Sequence, residues 1–263
     1  LSSKYDFRPN PYSDLETLLT NEKPEAISIC TPPEHHFLQL KSAFEKNLPV
    51  LCEKPLLWKE GITNTELKSQ LDEFKNYPGP KLLVNTSNCT FLDRIKDRID
   101  QTALCQNFYF QFHTQGPHQG RKIAIDLLPH GLSFLIKLLG SKKISFFSEE
   151  YNNHSYKCQF TYGICKVIFD FQEDPLGKKA LSFKINGRSF TRIQQGEGAT
   201  YNVFLKDHLG GEKIKIKDPF QVYISRFLAI CKNFNSKDNI DFDESVLNLK
   251  LMAEIILKKN YVK

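Results

Sequence analysis

No two cysteines in this sequence are spaced C-x-x-C, and the seven present stand dispersed at positions 30, 52, 89, 105, 158, 165 and 231. An odd, scattered set lying inside apolar patterns argues against a disulfide framework and against a zinc site. It predicts reduced core thiols and a cytoplasmic setting, and no metal is expected. No apolar run approaches the roughly 20 residues that a membrane-spanning helix needs. The opening LSSKYDFRPN holds no apolar core of the kind a signal peptide has. The positive charge excess, +6 at neutral pH, lacks focus. Its lysines are spread along helix faces, as at Lys250, Lys258 and Lys259, so a solvated surface accounts for most of it. The other use for such charge is a mildly basic cleft for a phosphorylated or nucleotide-linked substrate. A nucleic-acid reader needs a clustered stripe within a recognisable module, and neither is found. Repeats and low-complexity tracts are also absent.

What is present is a chain of 263 residues with 40% apolar and 25% charged residues, long enough for two domains. The most informative stretch is Ala26–Pro55. Ala26–Cys30 is a short apolar run bounded by turn signals, the pattern of a buried parallel strand. Thr31 is placed to cap a helix, with Pro32 at its first position and Glu34 three residues after Thr31. Apolar residues at Phe37, Leu38, Leu40, Ala43 and Phe44 keep helical spacing up to Asn47. A second strand, Pro49–Cys52, ends in Glu53-Lys54-Pro55. Strand, helix and strand make a crossover that is right-handed in nearly all proteins. Both corners therefore sit at carboxyl ends of parallel strands, the edge where open α/β sheets bind ligands.

Downstream, Ser13-x-x-Glu16 and Thr63-x-x-Glu66 are capping boxes for helices over 14–20 and 63–76. Tyr77-Pro78-Gly79-Pro80 breaks the chain, and Lys81–Asn85 reads as a further strand. An amphipathic helix is expected over Thr90–Asp100. Asn107–His113 alternates Phe108, Phe110 and Phe112 with polar neighbours, as a half-buried strand does. From Lys142 to Lys217 strands follow one another, with hairpin signals at Tyr162-Gly163, Asn186-Gly187 and Gly210-Gly211. Two helices, over 219–233 and 242–259, end the chain. The expected fold is α/β: a partial Rossmann-type parallel sheet over 1–87, then an α+β domain over 88–263 with a mainly antiparallel sheet.

TPPEHH, a helix, and then LCEKPL resemble the dinucleotide-binding domain of the Gfo/Idh/MocA oxidoreductases, in which Thr-Pro and Glu-Lys-Pro corners flank the nicotinamide. The family's Asp-x-x-x-His on a helix of the second domain has its counterpart in Asp126 and His130. The resemblance implies NAD or NADP as cofactor, with Thr31, Pro32, His36, Glu53, Lys54 and Pro55 around it and Lys54, Asp126 and His130 as catalytic residues. Asp126 and His130 are four apart, so on a helix they share a face. Pro129 is compatible with that helix if Asp126 caps its start. Asp126 would orient His130 and stabilise its protonated form, and neutral His130 would take a hydroxyl proton as hydride leaves the same carbon. Lys54 would stabilise the charge that develops on oxygen. Spacing alone favours a plainer reading of the Asp126/His130 pair, a helix start with a polar-face histidine; the resemblance reverses that preference. Glu53 is equally an orienting partner for Lys54 or a strand-end carboxylate. His35, His113, His118, His154 and His208 show no ligand spacing. Where family members carry an Arg-Phe pair this chain has Asn88-Cys89-Thr90-Phe91, which leaves a substrate contact there open.

The family's opening strand, Gly-rich turn and helix have no counterpart before Ala26. The reading therefore expects roughly 50–60 further residues upstream, at about 30 per βαβ unit plus one helix. Without them it expects weak dinucleotide binding. The function implied is an NAD(P)-dependent oxidoreductase acting on a CH–OH group of a sugar, cyclitol or related polyol. A glycosidase using transient oxidation is a close variant, and a non-catalytic regulator or scaffold is the alternative from another class. The expected partner is a small-molecule substrate, with no nucleic acid and no membrane, and a broad sheet face fits a homo-oligomer.

Overall fold

Two sheets of opposite character organise the chain in this computed structural model, which describes residues 9–77, 81–99, 104–232 and 240–257. The first sheet is three parallel strands in sequence order: β1 (Ile27–Ile29), β2 (Val50–Cys52) and β3 (Leu82–Val84). Every residue of β2 and β3 is buried, because a parallel sheet is covered on both faces. One cover comes from α2 (His36–Glu45) and α3 (Asn64–Phe74), whose Leu40, Phe44 and Phe74 join Val50, Cys52 and Val84 in the core. The other comes from the far end of the chain. Leu51 and Leu83 pack against Tyr223 and Phe227 of α5 (Pro219–Lys232), and α6 (Ile240–Leu257) lies beside β3.

Helix starts follow the chemistry of caps, with local shifts. Asp14, not Ser13, caps α1 (Leu15–Glu22), accepting from the Thr17 amide at 2.8 Å. Thr63 caps α3 as expected, accepting from the Glu66 amide at 3.1 Å. Thr31 does not cap α2. A 3₁₀ turn over Pro33–His35 intervenes, and the Thr31 hydroxyl donates to Gln39 Oε1 at 2.6 Å instead. The helix expected over 90–100 is replaced by 3₁₀ turns, Ser87–Arg94 and Lys96–Arg98; Asp100 lies outside the described residues, as do Pro78–Pro80. Five consecutive residues, Asn88–Leu92, are buried there, so no solvent face exists for a regular amphipathic helix. Asn, Cys and Thr also contribute little helix propensity.

The second sheet has eight strands: β4 (Asn107–Thr114), β5 (Ile144–Tyr151), β6 (Ser155–Tyr162), β7 (Cys165–Glu173), β8 (Ala180–Ile185), β9 (Arg188–Gln195), β10 (Asn202–Asp207) and β11 (Lys213–Ile216). Their spatial order is β11-β10-β9-β8-β4-β7-β6-β5. All pairings are antiparallel except β4 with β7. Asn186 and Gly187 take the positive φ values, 48° and 88°, that a two-residue hairpin between β8 and β9 needs.

Helix α4 (Lys122–Leu139) covers one face of this sheet. The Phe134 ring sits 5.0 Å from Phe110 and 5.1 Å from Phe183, within a layer of buried aromatics. Gly131 permits the close approach: a Cβ there would lie 2.8 Å from the Phe169 ring, which is itself fully buried and has nowhere to go. No helix among the described residues is long and apolar enough to cross a membrane.

Candidate active site

The carboxyl ends of β1, β2 and β3 form one edge. Thr31 follows the first, Glu53-Lys54-Pro55 the second and Asn85 the third. His36 ties the first two corners together. Fully buried, it sets Nε2 2.9 Å from the Thr31 carbonyl and Nδ1 3.0 Å from that of Pro55 and 3.2 Å from that of Leu56. The ring lies against carbonyls of both corners and donates its N–H to one of them, so His36 acts on this edge by fixing the shape of its corners. Replacing His36 by alanine should cost about 2–4 kcal/mol in urea unfolding, because a cavity and unsatisfied carbonyls are left behind. A change below about 0.5 kcal/mol, the range of ordinary surface substitutions, would remove this role.

Glu53 turns to the third strand end, accepting from Asn85 Nδ2 at 2.7 Å. A carboxylate can only accept, which fixes the Asn85 amide orientation and leaves its buried Oδ1 with no hydrogen-bond donor among the described residues. Lys54 points the other way, towards α4. Its Nζ donates to the Asp126 carbonyl at 3.0 Å and forms an ion pair with the Asp126 carboxylate. Glu53 is therefore not the orienting partner of Lys54; Asp126 is.

Asp126 does not start its helix. α4 begins one turn earlier at Lys122, so Pro129 lies inside it. A proline there supplies no N–H to the preceding turn. Lys54 bonds a carbonyl in that turn, and Asn248 of α6 donates to the Pro129 carbonyl at 2.9 Å. The Asp126 carboxylate, expected to orient His130, is paired with Lys54. Burial would push Asp126 up, but the adjacent Lys54 ammonium prevails and holds it below the usual carboxylate range.

His130 stands edge-on to Phe112, with ring centroids 5.2 Å apart, and its Nδ1 is 3.5 Å from Asn88 Nδ2. Burial, then the Lys54 charge, depress its pKa to about 3; Asp126 opposes this and Arg192 adds to it. The ring is neutral at physiological pH and, as so weak a base, can accept a hydrogen bond without holding a proton. Asp126 and His130 line an open cleft of about 450 Å³ together with Phe112, Thr114, Lys179 and Arg192.

Several residues at this place had no signal in the sequence. Asn88 comes from the segment that departs from the family's Arg-Phe pattern. Arg192 reaches the cleft from β9, its guanidinium 5.8 Å from the Phe112 ring centre. Glu173, at the end of β7, is fully buried and accepts at Oε2 from the His118 amide and from His118 Nδ1, both at 2.9 Å. One side-chain ligand atom from each of His118, Asp126 and Glu173 lies within 4.8 Å of the others. Their sequence separation hides that cluster, because it is made by β4, the loop after it, α4 and β7.

Comparison with known proteins agrees with this architecture. Residues 2–74 match the model of a family described as "Oxidoreductase family, NAD-binding Rossmann fold" (GFO_IDH_MocA). No curated protein matches the sequence. Among solved structures, the fold is similar to the UDP-N-acetylglucosamine 3-dehydrogenase GnnA of Acidithiobacillus ferrooxidans, at 13% identity and TM-score 0.67 over 97% of this chain and 84% of that one. KijD10, a 3-ketoreductase of Actinomadura kijaniata solved with TDP-benzene and NADP, is similar at 13% identity and TM-score 0.71, covering 97% and 83%. The MviM dehydrogenase of Clostridium difficile is similar at 17% identity and TM-score 0.68, covering 97% and 85%. Residues 2–74 thus match the model of an NAD-binding oxidoreductase family, and nearly the whole chain shares the fold of dehydrogenase and ketoreductase structures.

Proposed function

We propose that this protein moves a hydride between a nicotinamide cofactor and a CH–OH or carbonyl carbon of a sugar, cyclitol or related polyol that carries an anionic group. The observation that carries the reading is the meeting of Lys54 with Asp126, one helical turn before a neutral His130, at the carboxyl edge of a parallel sheet. The corners at Thr31-Pro32 and Glu53-Lys54-Pro55 would hold the nicotinamide end. The buried Asn85 Oδ1 fits that assignment, since it lacks a donor of the kind a carboxamide or a ribose hydroxyl supplies. When bound, the cofactor supplies the hydride acceptor or donor.

The remaining work falls to this chain's residues. The Lys54 ammonium donates to the reacting oxygen and stabilises the negative charge that grows on it. Neutral His130 accepts the hydroxyl hydrogen bond and aligns that oxygen. Lys179 and Arg192 at the cleft favour a phosphate or diphosphate group on the substrate. The UDP-linked sugar in the name of one similar structure and the TDP-benzene bound in another carry a diphosphate of that kind.

The test uses the full protein with NAD⁺ or NADP⁺ and a panel of sugar nucleotides, sugar phosphates and free cyclitols. Reduced nicotinamide should appear in step with a product two hydrogens lighter, and the anionic sugars should be preferred. The single tryptophan, Trp58, follows the Lys54 corner and is buried, so its fluorescence reports cofactor binding separately from turnover. Absence of both quenching and turnover across the panel would overturn the reading.

A further inference from the structure

Glu173 Oε1 is buried and receives no hydrogen-bond donor from the described residues, although the same carboxyl receives two at Oε2. Asp126 brings a second carboxylate beside it, one of its oxygens within 4.8 Å of a Glu173 oxygen. Two ionised carboxylates are acceptors only, so a pair facing each other across a few ångströms requires something positive between them. Asp126 has Lys54 on its other side. His118 completes the row, with 43% of its side chain exposed while Glu173 is wholly enclosed. We propose that Lys54, Asp126, Glu173 and His118 form a proton path between the reacting oxygen and solvent, with one proton resident on Glu173 facing Asp126. This rests on the hydride-transfer reading for its purpose, because carbonyl reduction consumes one proton and alcohol oxidation releases one.

The bookkeeping closes in both directions. In reduction, hydride brings an electron pair to the carbonyl carbon and the oxygen takes a proton from the Lys54 ammonium. The Glu173 Oε1–H bond breaks as an Asp126 O–H forms, and that proton restores Lys54. Glu173 then takes a proton at Oε2 from His118 Nδ1, while His118 Nε2 takes one from water. A half-turn of the Glu173 carboxyl and exchange of the exposed imidazole reset the row. Oxidation runs the same steps backwards. His130 cannot substitute as the donor, since it faces no proton-carrying partner and is neutral.

The charged surroundings agree. Burial raises Glu173; the His118 amide opposes this and the Asp126 carboxylate adds to it. From the β5–β6 turn, His154 Nδ1 meets only the Glu173 backbone carbonyl, at 3.2 Å. Gly116 gives the carboxyl its space, since a Cβ there would overlap Glu173 Oε2. A divalent cation in place of the proton is disfavoured by the Lys54 ammonium, and by His118 Nδ1, which spends its proton on Glu173 and so is no ligand.

Infrared difference spectra provide a test that needs no substrate. The wild-type protein at neutral pH should show a carboxylic-acid carbonyl band that Glu173→Gln removes and Lys54→Met shifts in frequency. With a substrate from the panel, Glu173→Gln should lower kcat about tenfold with KM unchanged, a tenfold change being about 1.4 kcal/mol on the barrier. His118→Ala, at an exposed position, should lower kcat and recover with added imidazole. Absence of the band, a band indifferent to Lys54→Met, or turnover in His118→Ala that imidazole does not restore would each overturn the path. So would stoichiometric Mg²⁺, Mn²⁺ or Zn²⁺ bound by the wild type and lost in Glu173→Gln. If no substrate is turned over, the hydride-transfer reading fails on that ground, while the two infrared results still decide the shared proton and its coupling to Lys54.

Discussion

Lys54→Met should slow hydride transfer by about 10²–10⁴-fold, the span that a single positioned proton donor and charge-stabilising group contributes. Methionine keeps most of the lysine stem, so the packing of the corner is retained and the ammonium alone is lost. That ammonium has two bonds to Asp126, one to its carbonyl and one to its carboxylate. Without it Asp126 loses the group that holds its pKa down, and burial then pulls it upward. A carboxylate whose folded pKa is depressed stabilises the protein above its unfolded pKa and loses that contribution as pH falls. The variant should therefore show less of this particular loss on acidification, alongside lower stability at neutral pH. Single-turnover stopped-flow on nicotinamide absorbance reads the first effect, and urea titrations at a series of pH values read the second. An unchanged single-turnover rate would reduce Lys54 to a clamp between the parallel sheet and α4.

The second large effect is expected from His130→Gln, which removes the ring yet keeps a polar group. Hydride transfer should fall by about 10²-fold or more, as the hydroxyl loses its acceptor and its alignment. The same substitution should make the protein more tolerant of acid. His130 titrates near 6.5 when unfolded and at about 3 in the folded protein. Between those values the unfolded chain binds more protons than the folded one, so stability falls as pH drops through that window and recovers above it. Each unit of difference is worth about 1.4 kcal/mol at most, and less where solvent reaches the cleft side of the ring. Glutamine does not titrate, so the gap between wild-type and variant stability should narrow from pH 7 towards pH 4. A constant gap would mean that His130 is not held neutral.

How much of this was legible in the sequence depends on whether the signal was local. The β1–α2–β2 crossover could be read because strand, turn, helix and strand are contiguous, and its corners carry their own chemistry at Thr31 and Lys54. The Asn186-Gly187 hairpin was readable for the same reason. The pairing of Asp126 with Lys54 could not be read, because helical spacing shows which residues share a face but not what arrives from another element. Here Lys54, from a strand end far upstream, takes the carboxylate. His36 was expected beside the cofactor, and its hold on the two corners was not foreseen; three backbone carbonyls converging on one ring leave no mark on a sequence. Burial on every side of Asn88–Leu92 defeated the helix expected there, since periodicity needs a solvent face to be visible. Glu173 carries no local signal, since only the fold encloses it.

The position of β4 has a further consequence, for the order in which the molecule assembles. β7 and β8 are consecutive in sequence but not neighbours, because β4 lies between them, bonded in parallel to one and antiparallel to the other. Hairpins downstream can form locally, each half of the sheet by itself, as the chain is synthesised. The two halves can join only through a strand made earlier, and such distant pairing meets its loop-closure cost before any contact rewards it. Phe112 and Thr114, which line the cleft, belong to that joining strand. The cleft should therefore be among the last parts of the protein to form, and a chain that stalls before β4 docks leaves β7 and β8 with raw edges.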